Sequence, residues 1–225
     1  MLLSIAVDGP VGAGKTTVCD AVSEKLRIPH LDTGAMYRAA GIAVLRAGVD
    51  PKDENASVAV CRRIDITVSY NGPDQITMLD GEDVSGLIRT EEVGMAASLI
   101  SAYPEVRRIM VDLQRRIAGE RDILVDGRDI CTRVLPEAAV KIFLTASPET
   151  RARRRWVQLR EKGQEADFET VLHDLKARDD QDTGRKVDPL RPAEDAEIVD
   201  TTDLGFDQAV LRLLEIIKRK TGRGV

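Results

Sequence analysis

Gly9 to Thr17 reads GPVGAGKTT and stands between a short apolar run, Leu2 to Asp8, and an amphipathic stretch from Lys15 to about Leu26. Glycines at this density let successive backbone N–H groups turn towards one anion, and the start of a helix adds its partial positive charge. The spacing fits G-x-x-x-x-G-K-[ST] through Gly9, Gly14, Lys15 and Thr16, which predicts a strand, a phosphate-binding loop and a helix in succession. Gly9, Pro10, Val11, Gly12, Ala13, Gly14, Lys15, Thr16 and Thr17 are then the expected triphosphate cradle. Lys15 is expected to reach the terminal phosphates, and Thr16 or Thr17 to offer a hydroxyl to magnesium or phosphate. Such a unit belongs in an α/β protein whose parallel sheet is covered on both faces.

The remaining pattern agrees with that class. A second strand near Ile28 to Asp32 leads through Thr33 and Gly34 into a helix ending near Gly48. Asp65 to Tyr70, Gln75 to Leu79 and Glu82 to Val84 are short alternating runs parted by Asn71 to Asp74 and by Asp80-Gly81, which predicts an inserted antiparallel meander. Helical periodicity returns over Thr90 to Ala102 and over Pro104 to Ala118. Ile123 to Val125 and Val140 to Leu144 suit interior parallel strands. Charged helices are expected over Pro148 to Lys162 and Phe168 to Asp180, then a strand at Ile198-Val199 and a helix from Phe206 to Lys220.

At 225 residues and 43% apolar content the chain can bury one substantial core with small appendages. No apolar run approaches membrane-spanning length, and MLLSIAVDGP lacks a basic flank, so a cytoplasmic protein is expected. Cys19, Cys61 and Cys131 form no C-x-x-C pair, which argues for free thiols and against a disulfide framework or a zinc site. A net charge of −5 gives no reason to expect nucleic-acid or membrane partners, and no heptads or apolar surface stripe are evident, which favours a monomer.

The loop alone serves kinases, GTPases and motors alike. A kinase also needs a second anion site facing the first, since two nucleotides meeting head-on bring together about six negative charges. The chain carries 24 arginines to nine lysines, and the guanidinium grips phosphate through two hydrogen bonds at once. Arg38, Arg107, Arg128, Arg133, the run Arg151 to Arg155, Arg178 and Arg185 are the candidates for that second site.

With these segments in view, the chain resembles bacterial cytidylate kinase. The resemblance is carried in order by GPVGAGKTT, LDTGAMYR (Leu31 to Arg38), DGEDVSGLIRTEEV (Asp80 to Val93), DGRDI (Asp126 to Ile130), Arg151 to Arg155 and KARDDQD (Lys176 to Asp182). It implies a single kinase domain over residues 1–225 with a five-stranded parallel core, a monophosphate-binding insertion at 63–105 and a lid at 150–165. It also implies magnesium-ATP as donor and CMP or dCMP as acceptor. Thr33, Tyr37 and Arg38 would lie near the acceptor, with Arg38 and Arg128 on its phosphate. Ser98, Arg107 and Asp129 would face cytosine, Arg178 and Asp182 the sugar, and Arg185 would be a further phosphate contact. Lys15, Arg128, Arg154 and Arg155 would be the catalytic set, the last two reaching the transferring phosphoryl from the lid.

The family's usual glycine after DGRDI is replaced here by Cys131, so the backbone placing Arg128 and Asp129 could differ. Asp126 ends an apolar run as a magnesium-binding carboxylate does in other P-loop enzymes, and Asp8 and Asp126 are candidates for holding magnesium-bound water. The alternatives are a P-loop kinase of another small acceptor, such as UMP or a sugar acid, and a nucleotide-binding switch.

Overall fold

A computed structural model describes residues 2–72, 74–161 and 163–223. Pro73 of the expected turn and Lys162 at the expected helix end lie outside the described residues. Five parallel strands, β1 (Ser4–Asp8), β2 (His30–Asp32), β6 (Ile123–Gly127), β7 (Val140–Thr145) and β8 (Glu197–Asp200), form one sheet in the order β2-β6-β1-β7-β8. Alternation survives even though the central strands are buried on both faces. Ile5 and Val7 of β1 pack with α1 (Lys15–Leu26) and α8 (Phe206–Thr221), while Ala6 enters the opposite core with α2 (Thr33–Arg46), α4 (Glu91–Ile100) and α5 (Pro104–Ala118). Leu124 and its neighbours Ile123 and Val125 divide between the two cores in the same way. The chain leaves β1 for β2 on one side and reaches β7 on the other, so the crevice beyond the C-terminal end of β1 is the topological switch point where ligands bind in open α/β sheets.

The meander is a separate antiparallel sheet, β3 (Ile66–Asn71), β4 (Asp74–Leu79) and β5 (Glu82–Asp83), with Ile66 opposite Leu79 and Val68 opposite Thr77. It has no core of its own: Ile66, Leu79, Val84 and Ile88 join the cluster of α2, α4 and α5. Gln75 fastens it to the main sheet, accepting from Asp32 N at 2.8 Å and donating to Asp32 O at 3.3 Å. Gly41 lets α2 cross α4 closely, since a Cβ there would stand 3.1 Å from Ala97 N.

Two elements were not foreseen from sequence. A helix α3 (Glu54–Cys61) is capped by Asp53, whose carboxylate accepts from Ala56 N at 3.0 Å, as an N-cap aspartate should. A single π-helical turn spans Ile130–Val134, directly after DGRD. The expected helices at Pro148 and Phe168 are α6 (Pro148–Glu161) and α7 (Phe168–Gly184), the latter one turn longer than expected. Among the described residues no helix is long and apolar enough to cross a membrane.

Candidate active site

Strand β1 delivers Asp8, the loop follows, and α1 begins at Lys15. Gly9 is fixed by its surroundings as well as by its backbone, φ 155°: a Cβ there would sit 1.9 Å from the carbonyl oxygen of Leu144 on β7. Lys15 is not the solvent-facing side chain that a surface loop suggests. It is buried, and its ammonium donates to Gly9 O at 2.8 Å and Pro10 O at 2.9 Å. Burial, reinforced by the charge of Arg128, lowers its pKa to about 7, so an arriving polyphosphate would supply the counter-charge this amine lacks.

Beside the loop, Thr16 Oγ1 donates to Asp126 Oδ2 at 3.1 Å, and Thr33 Oγ1 to the Asp126 carbonyl at 2.7 Å. The other carboxylate oxygen of Asp126 lies 3.2 Å from His30 Nε2, and His30 Nδ1 lies 2.7 Å from Asp20 Oδ1. Burial disfavours the His30 charge, but the two carboxylates outweigh it and raise the pKa to about 10. Asp8 has another task. Its two oxygens accept from Ile130 N and Cys131 N, each at 2.8 Å, so it caps the π turn and sets the direction of the Arg128-Asp129 segment. Burial raises its pKa to about 6 against those two amides. Cys131 is not among the non-glycine residues with positive φ, so this turn does not need the glycine that the sequence comparison led us to expect.

The two residues just before the π turn send their side chains to different partners. Arg128 Nε donates to Asp182 Oδ2 of α7 at 2.8 Å. Asp129 is buried and pairs through Oδ2 with Arg107 Nη2 of α5, while Arg185 Nη2 stands 3.8 Å from its Oδ1. Burial raises the Asp129 pKa despite Arg107 and Arg185. Tyr37 Oη and Arg185 Nη2 border this group and are buried with no hydrogen-bond partner among the described residues, which leaves polar atoms for a ligand to satisfy. Asp188, at φ 47°, completes the frame by accepting from Arg107 Nε at 3.4 Å and, through its carbonyl, from Arg185 Nε at 2.6 Å. Its role was not read from sequence, where its only mark is an aspartate preceding Pro189.

A second positive group lies closer to the loop. Burial first, then the charges of Arg128, Arg38 and Arg155, depress Arg178 to about 10. Among the described residues Arg38 pairs with Asp32 alone, at 3.9 Å. Ser98 is turned towards α7, donating to Gln181 Oε1 at 3.4 Å, and its carbonyl accepts from Gln181 Nε2 at 3.0 Å.

The arginine run of α6 divides by position. Arg151 is buried and clamps the loop, donating to Val11 O at 3.0 Å and Ala146 O at 2.9 Å and pairing with Asp179 at 2.7 Å. Arg153 is exposed with its guanidinium over the Phe168 ring at 5.7 Å. Arg154 runs along the loop, bonded to Ala13 O at 3.4 Å and to Thr201 O at 2.7 Å. Arg155 is exposed. Sequence spacing could not separate these four, because which side of α6 is covered depends on α7, the phosphate loop and Thr201 rather than on α6 itself.

A cradle for a polyphosphate and a second, arginine-rich pocket thus face one crevice, an arrangement suited to moving a phosphoryl group between two bound anions. Residues 5–219 match the family model described as cytidylate kinase. The chain is 47% identical over 218 residues to the cytidylate kinase of Carboxydothermus hydrogenoformans, covering 97% of this chain and 98% of that one. It is also 47% identical to that of Corynebacterium diphtheriae, covering 98% and 96%. Among solved structures, shikimate kinase from Bacteroides thetaiotaomicron is similar in fold, with a TM-score of 0.52 at 14% identity, covering 97% of this chain and 99% of that one.

Proposed function

Since the chain belongs to the cytidylate kinase family, we propose that it transfers the terminal phosphoryl of ATP to CMP or dCMP, giving CDP or dCDP. The observation that carries this reading is the group of half-buried Arg178 and Arg128 with Arg38 and Arg155 around it, close enough to the loop for Arg128 to act on Lys15. Arg178 is depressed to about 10 by burial and by its neighbours' like charge, and such a cluster gains stability from a bound phosphate. The acceptor phosphate sits there, and its ionised oxygen attacks in line, so no general base is needed. Lys15 balances charge on the donor's terminal phosphates. The hydroxyl of Thr16 and the carboxylate of Asp126 are hard oxygen donors that fit Mg2+, which when bound would neutralise donor phosphate charge. Both oxygens of Asp8 already accept from the π turn, so Asp126 is the better placed of the two carboxylates for a magnesium-bound water.

On the base side, the Arg107–Asp129 pair with Tyr37 and Arg185 receives cytosine, and Asp182 acts by holding Arg128 as well as by any contact with the sugar. The insertion at 63–105 closes over the acceptor, and the moving part of the 150–165 lid lies beyond the buried Arg151 and Ala152. The test is an acceptor panel with ATP: CMP and dCMP are expected to give the highest kcat/KM for ADP release, with UMP and a sugar acid such as shikimate far behind. A sugar acid or UMP turned over faster than CMP would overturn the reading.

Arg154 and Arg155 give a separate prediction. Arg154 must exchange its bonds to Ala13 and Thr201 for the transferring phosphoryl as the lid closes. Replacing both by alanine is expected to lower kcat by about 100-fold or more while changing the KM for CMP less than about fivefold. A rise confined to KM would place the pair in ground-state binding.

A further inference from the structure

The scattered cysteines argue against a zinc site in the sequence, yet the fold brings one of them to a histidine and a carboxylate. Cys19 Sγ, a His30 ring nitrogen and an Asp126 oxygen all lie within 4.8 Å of one another, and all three residues are buried. They come from α1, β2 and β6, so no sequence spacing records them. We propose that Cys19, His30 and Asp126 form a binding site for a zinc-class divalent cation at the base of the phosphate-binding loop.

Three features favour an ion here over an ordinary buried polar cluster. The mixed sulfur, nitrogen and carboxylate donor set suits Zn2+ or Co2+, whereas Mg2+ takes oxygen alone. The geometry is close to what a tetrahedral ion needs: with bonds of about 2.0–2.1 Å, an ion bridging His30 Nε2 and Asp126 Oδ1 across their 3.2 Å separation would subtend roughly 100°. Finally, His30 is already oriented as metal-bound histidines are. Its far nitrogen, Nδ1, is held at 2.7 Å by Asp20, which directs Nε2 towards Asp126 and makes it a better ligand. The ion takes the place of the proton now shared between Nε2 and Asp126, and it displaces the Cys19 thiol proton; both leave to solvent. Cys19 Sγ needs a shift of about 1 Å or so to complete the third bond, and the fourth position is open to water.

Occupancy would draw Asp126 away from Thr16. This consequence, unlike binding itself, rests on the magnesium role given to Asp126 above. An ion of this class would then inhibit phosphoryl transfer reversibly.

The experiment is titration of the nucleotide-free, magnesium-free protein with Co2+, followed by absorption, then displacement by Zn2+. One cobalt per chain is expected, with thiolate-to-cobalt charge transfer in the near ultraviolet and the intense visible bands of a tetrahedral ion. Cys19→Ser should abolish the charge-transfer band, and Cys61→Ala should retain it. Asp20→Ala, at an exposed position whose side chain lies outside the core, should weaken binding by about 10–100-fold, its folding checked by the thermal transition. A wild-type spectrum of weak octahedral type, a charge-transfer band that survives in Cys19→Ser, or an unchanged affinity in Asp20→Ala would each overturn the site. The wild-type spectrum and Asp20→Ala decide the matter even if Cys19→Ser does not fold. A tetrahedral thiolate spectrum without loss of kinase activity would uphold the site and remove Asp126 from the reaction.

Discussion

Replacing Lys15 by methionine is expected to lower kcat/KM for phosphoryl transfer by about 100- to 1,000-fold, the scale seen when one preorganised donor to developing charge is removed. Methionine keeps the aliphatic stem in its buried slot, so the loss should come with a cooperative thermal transition close to that of the wild type. The two carbonyls that Lys15 now serves, those of Gly9 and Pro10, lose a donor, which limits the cost to about 1–3 kcal/mol. The same residue predicts a pH dependence. An unfolded lysine keeps its proton to 10.5, whereas in the folded chain burial and Arg128 lower the pKa to about 7. Between those values the unfolded chain binds the extra proton, so stability rises with pH through that window, and below it the folded state carries the full burden of a buried charge. From about pH 6 to about pH 9 the wild type should therefore gain Tm relative to Lys15→Met in the absence of nucleotide. Near-normal turnover in a folded Lys15→Met protein would remove Lys15 from the phosphate cradle, and parallel Tm profiles would remove its lowered pKa.

Asp129→Asn is the second large effect, and it acts on which base is accepted. In the wild type Asp129 Oδ2 is held by Arg107, while among the described residues Oδ1 has Arg185 alone, at 3.8 Å, and on the proposed reading it accepts from the cytosine amino group. Uracil presents a carbonyl at that position, acceptor against acceptor, at a cost of about 1–3 kcal/mol or more with a charged partner. UMP is expected to be used at least about tenfold less efficiently than CMP. In Asp129→Asn, Arg107 can only donate, so it fixes the amide oxygen towards itself and turns the NH2 group towards the base. CMP should lose at least about tenfold in kcat/KM, and the CMP-to-UMP ratio should narrow. Part of the loss will be shared by both acceptors, because Arg107 is buried and keeps only Asp188 as a charged partner. Asp182→Asn is the comparison. Asp182 holds Arg128 at 2.8 Å, so its replacement should weaken CMP and UMP alike. An unchanged ratio in Asp129→Asn would move base recognition to other groups, with Tyr37 and Arg185 the first to test.

The family and the phosphate loop were legible in the sequence because both are local. GPVGAGKTT needs only a strand before it and a helix after it, and the period of the flanking residues supplies both. The meander was readable for the same reason: its turns carry their own glycine and asparagine signals, and Ile66 pairs with Leu79 as those turns dictate. Helix α3 was missed because its eight residues are too few to establish a period. The π turn was missed because it exists through Asp8, whose two oxygens hold its first two amides from more than a hundred positions away.

What the sequence could not determine is which polar groups are spent on the protein itself and which are left for a ligand. Arg151 and Arg155 are equally basic in the chain, but in the fold one is buried as a clamp on the loop and the other is exposed. Lys15 is recognisable from its motif, while its lowered pKa depends on burial under the loop and on Arg128. Cys19, His30 and Asp126 have no relation until α1, β2 and β6 are packed together. Motifs record the spacing imposed by one helix or one turn. Charge pairing, desolvation and metal geometry depend instead on distances between elements, and those exist only once the sheet has set the order of its strands.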